Sequence, residues 1–322
     1  MQSSSSDFSR PEVRVSSRSR RRFPVHLLVF LAPALIIYSV FMILPILSSL
    51  RLSLYNGATG QAVNFVGLRN YVTLLTDPNW VGPFLNALKN NVIFFVIHML
   101  VQNPIALLLA ALLTSGVRGA SVYRTLIFTP TVLSVVIIGF VWNLLLNPQW
   151  GVLDTVMGWI GVHSESGFVL LGDEKSALVT LSLISVWQNV GIPLMLFVAA
   201  LVRVPQELVE AAIVDGAGAW TTFWKLRFPL ILPTVGIVAI LTFIGNFNAF
   251  DLIYAVQGAL AGPNFSTDIL GTFFYRTFFG FQLQPGSTFM GATVAGAMLL
   301  LVLAGLIIYL AAWQRRIQTY EY

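Results

Sequence analysis

The chain has 322 residues, 57% hydrophobic and only 10% charged, with a formal net charge of +5 and no cysteine; its mean hydropathy is +0.81. A soluble domain carries about 25% charged residues, so water is excluded as the solvent for most of this surface and the membrane takes its place. The lack of cysteine excludes disulfide frameworks, thiolate metal sites and cysteine nucleophiles together.

The N-terminal stretch holds Arg10, Arg14, Arg18, Arg20, Arg21 and Arg22 among serines. It reads as a disordered basic cytoplasmic tail over residues 1–23 that anchors the first span on anionic lipid. The run Ser19-Arg20-Arg21-Arg22-Phe23 superficially resembles a twin-arginine export signal. The apolar run after it, however, is twice the length of a signal-peptide core and has no small-x-small cleavage site. A nucleic-acid arm is the other reading, for which an arginine run alone is weak support.

Uncharged runs then cover 23–50, 90–117, 125–153, 176–202, 228–250 and 277–314. Each exceeds the roughly 20 residues, at about 1.5 Å rise, that cross a hydrocarbon core of about 30 Å. Backbone groups in lipid must be satisfied within the segment, and the runs lack the alternation of barrel strands. The expectation is an all-α membrane domain over 24–314 with six transmembrane helices at about 27–50, 90–114, 124–147, 177–202, 231–256 and 288–313, then a cytoplasmic tail over 315–322. Six buried helices of a large soluble bundle are the alternative.

Between the spans, the outer loop over 51–84 carries turn residues (Asn56-Gly57, Gly60, Gly67, Asp77-Pro78, Gly82-Pro83) and is expected to fold as a cap. The loop over 147–175 places Trp150 and Trp159 at headgroup level. The last outer loop, 257–286, holds Gly262-Pro263 and an aromatic set: Phe273, Phe274, Tyr275, Phe278 and Phe279. With both termini in the cytoplasm, thirteen of the eighteen lysines and arginines fall inside, and five (Arg51, Arg69, Lys89, Lys175, Arg276) fall outside, the bias that orients membrane proteins.

Catalytic chemistry is nearly absent from the chain. None of the three lysines, Lys89, Lys175 and Lys225, sits in a phosphate-binding loop. His26, His98 and His163 lie far apart without metal-ligand spacing; His98, in a span, reads first as a polar group bonded between helices and second as a proton relay. The six runs contain no Asp, Glu, Lys or Arg, where ion-coupled carriers bury ionisable groups. Uphill transport would therefore draw its energy from elsewhere. A secondary carrier could use only Asp251, and an intramembrane enzyme would need paired groups that are not visible.

One cytoplasmic segment, 203–230, breaks the pattern. It contains Pro205, Glu207, Glu210-Ala211-Ala212, Asp215-Gly216-Ala217, Trp220, Phe223, Leu226 and Phe228-Pro229. Pro205 suits a first helical turn, and Glu207 and Glu210 sit near its positive end. Gly216 permits a sharp turn or close backbone approach, and a second short helix is expected to run to Pro229. Read from the residues alone, this is a docking knob projecting from the membrane or a loop that packs on its own bundle.

Glu210-Ala211-Ala212, with Gly216 after it and then Leu226, Phe228 and Pro229, resembles the EAA loop in membrane subunits of binding-protein-dependent ATP-binding-cassette (ABC) importers. Asp215-Gly216-Ala217 is typical of the carbohydrate-importing branch. Asn64-Phe65-Val66-Gly67-Leu68 with Asn70-Tyr71, Asn246-Phe247-Asn248 with Phe250-Asp251 and Ile253-Tyr254, and Arg315-Arg316 before Tyr320-Glu321-Tyr322 agree. The likeness extends over roughly residues 28–322, to the first membrane subunit of maltose, glycerol-3-phosphate and multiple-sugar systems. Two departures stand out: Leu260-Ala261-Gly262-Pro263 where Gly-Gly-Pro is usual, and Asn86-Ala87-Leu88 where Asn-Thr-Leu is usual.

The resemblance implies a type I importer permease of the bacterial or archaeal cytoplasmic membrane, paired with a second, similar permease. Two cytoplasmic ATPase subunits, which use ATP and Mg2+, and an extracytoplasmic solute-binding protein would complete the importer; the permease itself would bind no cofactor. Glu210, Ala211, Ala212, Asp215, Gly216, Ala217, Trp220, Phe223 and Pro229 would couple it to the ATPases. It also implies that Gln188, Asn189 and Ile192 of span four and Thr242, Gly245, Asn246 and Ala249 of span five line the solute path. The alternative is that Gln188 and Asn246 only bond neighbouring helices, while Gln102-Asn103 before Pro104 reads as a helix-kink set. The resemblance implies a sugar or sugar-like solute, or alternatively glycerol phosphate.

Overall fold

The computed structural model describes residues 25–57, 64–159, 161, 168–281 and 284–312. The expected N-terminal tail, His163 and the tail from Arg315 to Tyr322 lie outside them. The chain divides after Leu47 into Met1–Leu47 and Ser48–Tyr322, and everything below concerns the second unit unless span one is named.

Four helices among the described residues are long and apolar enough to cross a membrane: Val29–Leu52, Pro78–Leu113, Ala219–Phe247 and Thr288–Ala312. Two bent pairs make six if each is one span: Ala120–Val132 with Val135–Leu145, bent by 96°, and Ala177–Asn189 with Gly191–Val202, bent by 45°. The uncharged runs are the reason for the helices, and their internal breaks are the reason for the bends. In span three, Pro130 removes an N–H from the last turn before Leu133 and Ser134 turn extended. In span four, Pro193 has no N–H for the Asn189 carbonyl. Gly191 lets span three come close: a Cβ there would lie 2.9 Å from the Phe128 Cα.

The start of span two and the end of span five depart from the sequence expectation, and the last outer loop contains a helix. Span two begins at Pro78, not near residue 90, because Asp77 caps the helix by accepting from the Asn79 N–H at 2.9 Å and Pro78 suits the first turn. Lys89 ends the uncharged run without ending the helix, and Gly82-Pro83, expected as a turn, lies inside it. Span five stops at Phe247, not 256; a break at 248–250 leads into a separate helix, Asp251–Gln257, packed on Val135–Leu145. Asn246 and Asn248 turn their amides back onto the Thr242 and Ile244 carbonyls, at 2.7 and 2.9 Å, at this break. The aromatic set of the last outer loop belongs to a helix, Leu270–Phe279, that packs on spans two and six.

The cap over the first outer loop is built from strands Tyr55–Asn56 and Asn64–Phe65 and helix Arg69–Thr76. Asn70 holds it together, donating to the Ser53 and Tyr55 carbonyls at 2.8 Å each. Spans two and four pack through Ala106 and Ala110 against Leu194, Phe197 and Val198; small residues let the backbones approach.

Arg276, counted from sequence among the charges of the outer loops, is buried within its loop: its Nη2 meets Asp268 Oδ2 at 2.6 Å, and Nη1 donates to the Ala259 carbonyl at 3.0 Å. Burial pushes the Asp268 carboxyl up from its ordinary range, and the hydrogen bonds from Arg276 and Thr272 pull against that shift. In the same loop Ala261, which stands where the resembled family has glycine, takes φ +52°, with Asn264 and Phe265 also at positive φ.

Candidate functional site

A cavity of about 320 Å³ opens among spans two, four and five and the break after span five. Its walls follow from the irregularities just described. Span two widens into a π turn at His98–Gln102, where the Asn103 N–H reaches back to the His98 carbonyl and relieves the backbone ahead of Pro104. Span four contributes its bend, and span five its last turns and the break.

Gln188, Asn189, Ile192, Thr242, Gly245, Asn246 and Ala249 all line this one cavity. Ala249 does so from the break after the helix end at Phe247, not from span five itself. The lining also includes Gln102, Ser185, Asn248 and Asp251. Asn248 reaches the cavity because the helix breaks at this point. Phe247 does face away, buried with Phe84, Leu270 and Met290. Trp187 packs on Trp142, ring centroids 5.6 Å apart, and does not line the cavity.

The hydrogen bonds separate the residues that fasten helices from those with capacity to spare. Asn103 of span two donates to the Thr242 hydroxyl at 3.2 Å, and that hydroxyl donates to the Val238 carbonyl at 2.8 Å, so Thr242 is spent on cross-linking. His98 bonds the Phe94 carbonyl through Nδ1 at 2.8 Å and Ser185 through Nε2 at 3.0 Å, a link between spans two and four. Because a carbonyl only accepts, Nδ1 carries a proton. The Gln188 amide makes no hydrogen bond among the described residues; its backbone carbonyl accepts from Thr131 at 2.8 Å. Asn246 Oδ1 and Gln102 Oε1 are buried without a partner among the described residues. Among the described residues neither Gln188 nor Asn246 bridges to a neighbouring helix through its side chain, and the lining contains no Lys or Arg.

The segment after span four forms a second feature. A helix at Gln206–Val214 follows Pro205, with Glu207 in its first turn. Its end is a Schellman motif: the Ala217 N–H donates to the Ala212 carbonyl and the Gly216 N–H to the Ile213 carbonyl, each at 2.9 Å, with Gly216 at φ +80°. Among the described residues no atom lies within 4 Å of a Cβ built on Gly216, so within this chain the glycine serves the turn. Glu210, Ala211 and Asp215 are exposed and Val209 is the buried anchor. Ile213 (60% exposed), Val214 (87%) and Trp220 (74%) form an uncovered apolar face beside these carboxylates, the composition of a protein-binding surface.

The second short helix is continuous with span five, against expectation. Ala219–Thr222 passes through a π turn at Phe223–Arg227 into Phe228–Phe247. The Phe228 N–H reaches back five residues to the Phe223 carbonyl, and this wider turn carries Pro229 where a regular turn would stop. Trp220, Phe223, Trp224 and Phe228 pack ring on ring along it.

Residues 102–318 match the family described as the inner membrane component of binding-protein-dependent transport systems. The chain is 34% identical over 290 residues to the lactose transport system permease protein LacF of Rhizobium radiobacter, covering 89% of this chain and 94% of that one. It is 32% identical over 298 residues to the sn-glycerol-3-phosphate transport system permease protein UgpA of Agrobacterium fabrum, covering 91% and 95%. In fold it is similar to a chain of a bacterial alginate ABC transporter in complex with an alginate pentasaccharide-bound periplasmic protein, with TM-score 0.76, 21% identity and coverage of 92% and 96%. The chain belongs to the inner-membrane components of binding-protein-dependent transport systems and is a permease subunit of an ABC importer.

Proposed function

We propose that this permease carries a neutral sugar or sugar-like solute, delivered by an extracytoplasmic binding protein, through the cavity among spans two, four and five into the cytoplasm. The observation that carries the reading is the cavity's chemistry. The Gln188 amide is unspent, the Asn246 and Gln102 acceptors are buried without partners, and Ile192 and Ala249 supply apolar faces. A sugar offers hydroxyls for the first group and flat CH faces for the second. An anionic solute such as glycerol phosphate is disfavoured on this chain's side, because the lining holds Asp251 and no Lys or Arg.

Six spans with both termini in the cytoplasm follow from the thirteen-to-five bias and from counting each bent pair as one crossing. Segment 203–230 then lies inside. There Glu210, Ala211, Ala212, Asp215, Gly216, Ala217 and Trp220 form the face on which one of two ATPase subunits sits, with Phe223 and Pro229 carrying its movement into span five. ATP and Mg2+ belong to those subunits, and a second, similar permease completes the path. Closure of the ATPases would swing the docking helix and reorient the spans between two packed states.

Proteoliposomes containing the assembled importer should take up the binding protein's ligand only with ATP present. Uptake driven by a proton gradient without ATP would overturn the reading in favour of an ion-coupled carrier. Single cysteines at Ser17, Ser164 and Thr319 test orientation: only the one at position 164 should label from outside intact cells.

A further inference from the structure

A separate cavity of about 420 Å³ lies where the connection between spans two and three meets the root of the docking helix. Arg124 and Arg227 line it from opposite segments of the chain, together with the polar Thr114 and Gln206 and the apolar Val117 and Val209. The Nε of each arginine is buried without an acceptor among the described residues. Arg124 makes only a long bond, 3.4 Å from Nη2 to the Leu113 carbonyl. Arg227 makes none among the described residues, and the Asp268–Arg276 pair is the ion pair found among them.

Both arginines are half-exposed, but a buried Nε–H with nothing to donate to is costly, and two positive charges on one cavity add repulsion. Both costs disappear if an anion with several acceptor oxygens sits between them; phosphate is the anion whose geometry matches guanidinium forks. The lining also includes apolar side chains, and it lies at the ends of spans two, three and four, where the orientation proposed above puts the cytoplasmic headgroups. An amphiphile with an anionic head fits both the arginines and these side chains.

We propose that this cavity binds a phosphate oxyanion and that in the membrane its source is the headgroup of an anionic phospholipid. Bound there, the phosphate bridges Arg124, at the start of span three, to Arg227, at the far end of the docking loop. It fastens the loop to the bundle and makes coupling sensitive to anionic lipid. The site rests on the inward orientation of segment 203–230 proposed above, but its test reads lipid and not transport, so the two fail separately.

The full chain, purified in detergent from mixed phosphatidylglycerol and phosphatidylcholine, should retain phosphatidylglycerol when the bound lipid is counted by mass spectrometry. R124Q/R227Q should lower that retention about tenfold, while R118Q, in the same connection but not lining the cavity, should leave it unchanged. If the glutamine pair does not purify intact, R124K/R227K, which keeps the charge without the fork, carries the same comparison with a drop of about threefold. Equal retention by wild type and the double variants, or an equal loss in R118Q, would overturn the site. Stabilisation of the wild type by inorganic phosphate as large as that by phosphatidylglycerol would overturn the lipid as the source.

Discussion

The docking loop and the central cavity are built on opposite principles. The loop's geometry is local: Glu210, Gly216 and the two bonds that end the helix fall within eight residues, so the turn survives almost anything done elsewhere. The cavity is assembled from His98–Gln102, the bend at Val190 and the break at 248–250, each a departure from regular helix. A lesion in the loop should therefore disconnect the permease from its ATPases and leave the membrane fold standing. A lesion in the cavity should alter the handling of solute and leave the ATPases attached.

The largest expected effect tests whether the cavity's scaffold is as non-local as this implies. Asp268→Ala strands the buried Arg276 charge, which should cost about 3–5 kcal/mol. The damage should extend inward, because Asn90 donates to the Asp268 carbonyl, and neighbouring Asn91 donates to the Asn246 carbonyl and accepts from the Leu270 N–H. A thermal-unfolding midpoint within a degree of the wild type would show the pair to be dispensable.

Next comes Gly216→Pro. Proline cannot reach φ +80° and has no N–H for the Ile213 carbonyl, so the helix end should be lost at a local cost of about 3 kcal/mol or more. Co-purification of the ATPase subunits should collapse while the permease stays monodisperse. Intact co-purification would erase the contrast between loop and cavity. Glu210→Ala should weaken attachment in the same direction.

Smaller effects are expected inside the cavity. Gln188→Leu and Asn189→Leu should each weaken solute handling by about 0.5–1.5 kcal/mol, two- to tenfold, with basal ATP hydrolysis preserved. Asn246→Leu should act similarly, and Asn248→Leu joins the cavity set because the break turns it inward. Thr242→Val, by contrast, removes a cross-link to Asn103 and should lower stability more than transport. If all these variants took up solute at wild-type rates, the path would lie elsewhere. The smallest change is Ala261→Gly, which relieves a left-handed alanine and should stabilise the chain by about 0.5–1 kcal/mol, the strain released less the glycine's entropy.

The uncharged runs, the charge bias and the Glu210-to-Gly216 spacing were legible in the sequence because each is a local property. A lipid-exposed backbone has few solutions other than a helix, and a helix ending in glycine closes on itself within a few residues. The convergence of Gln188 and Asn246 was also readable, by resemblance to a family and not by spacing. Only tertiary structure decided the remainder. Arg276 carries no mark in the sequence that distinguishes a buried, paired arginine from an exposed one. The break after Phe247 falls where the uncharged run ends before Asp251, and a single charge there does not say whether the helix stops or continues, as it continues through Lys89. Nor could spacing place Asn248 in the cavity or bring Arg124 and Arg227, a hundred residues apart, onto one pocket, because which groups are left without partners is settled only when distant segments pack.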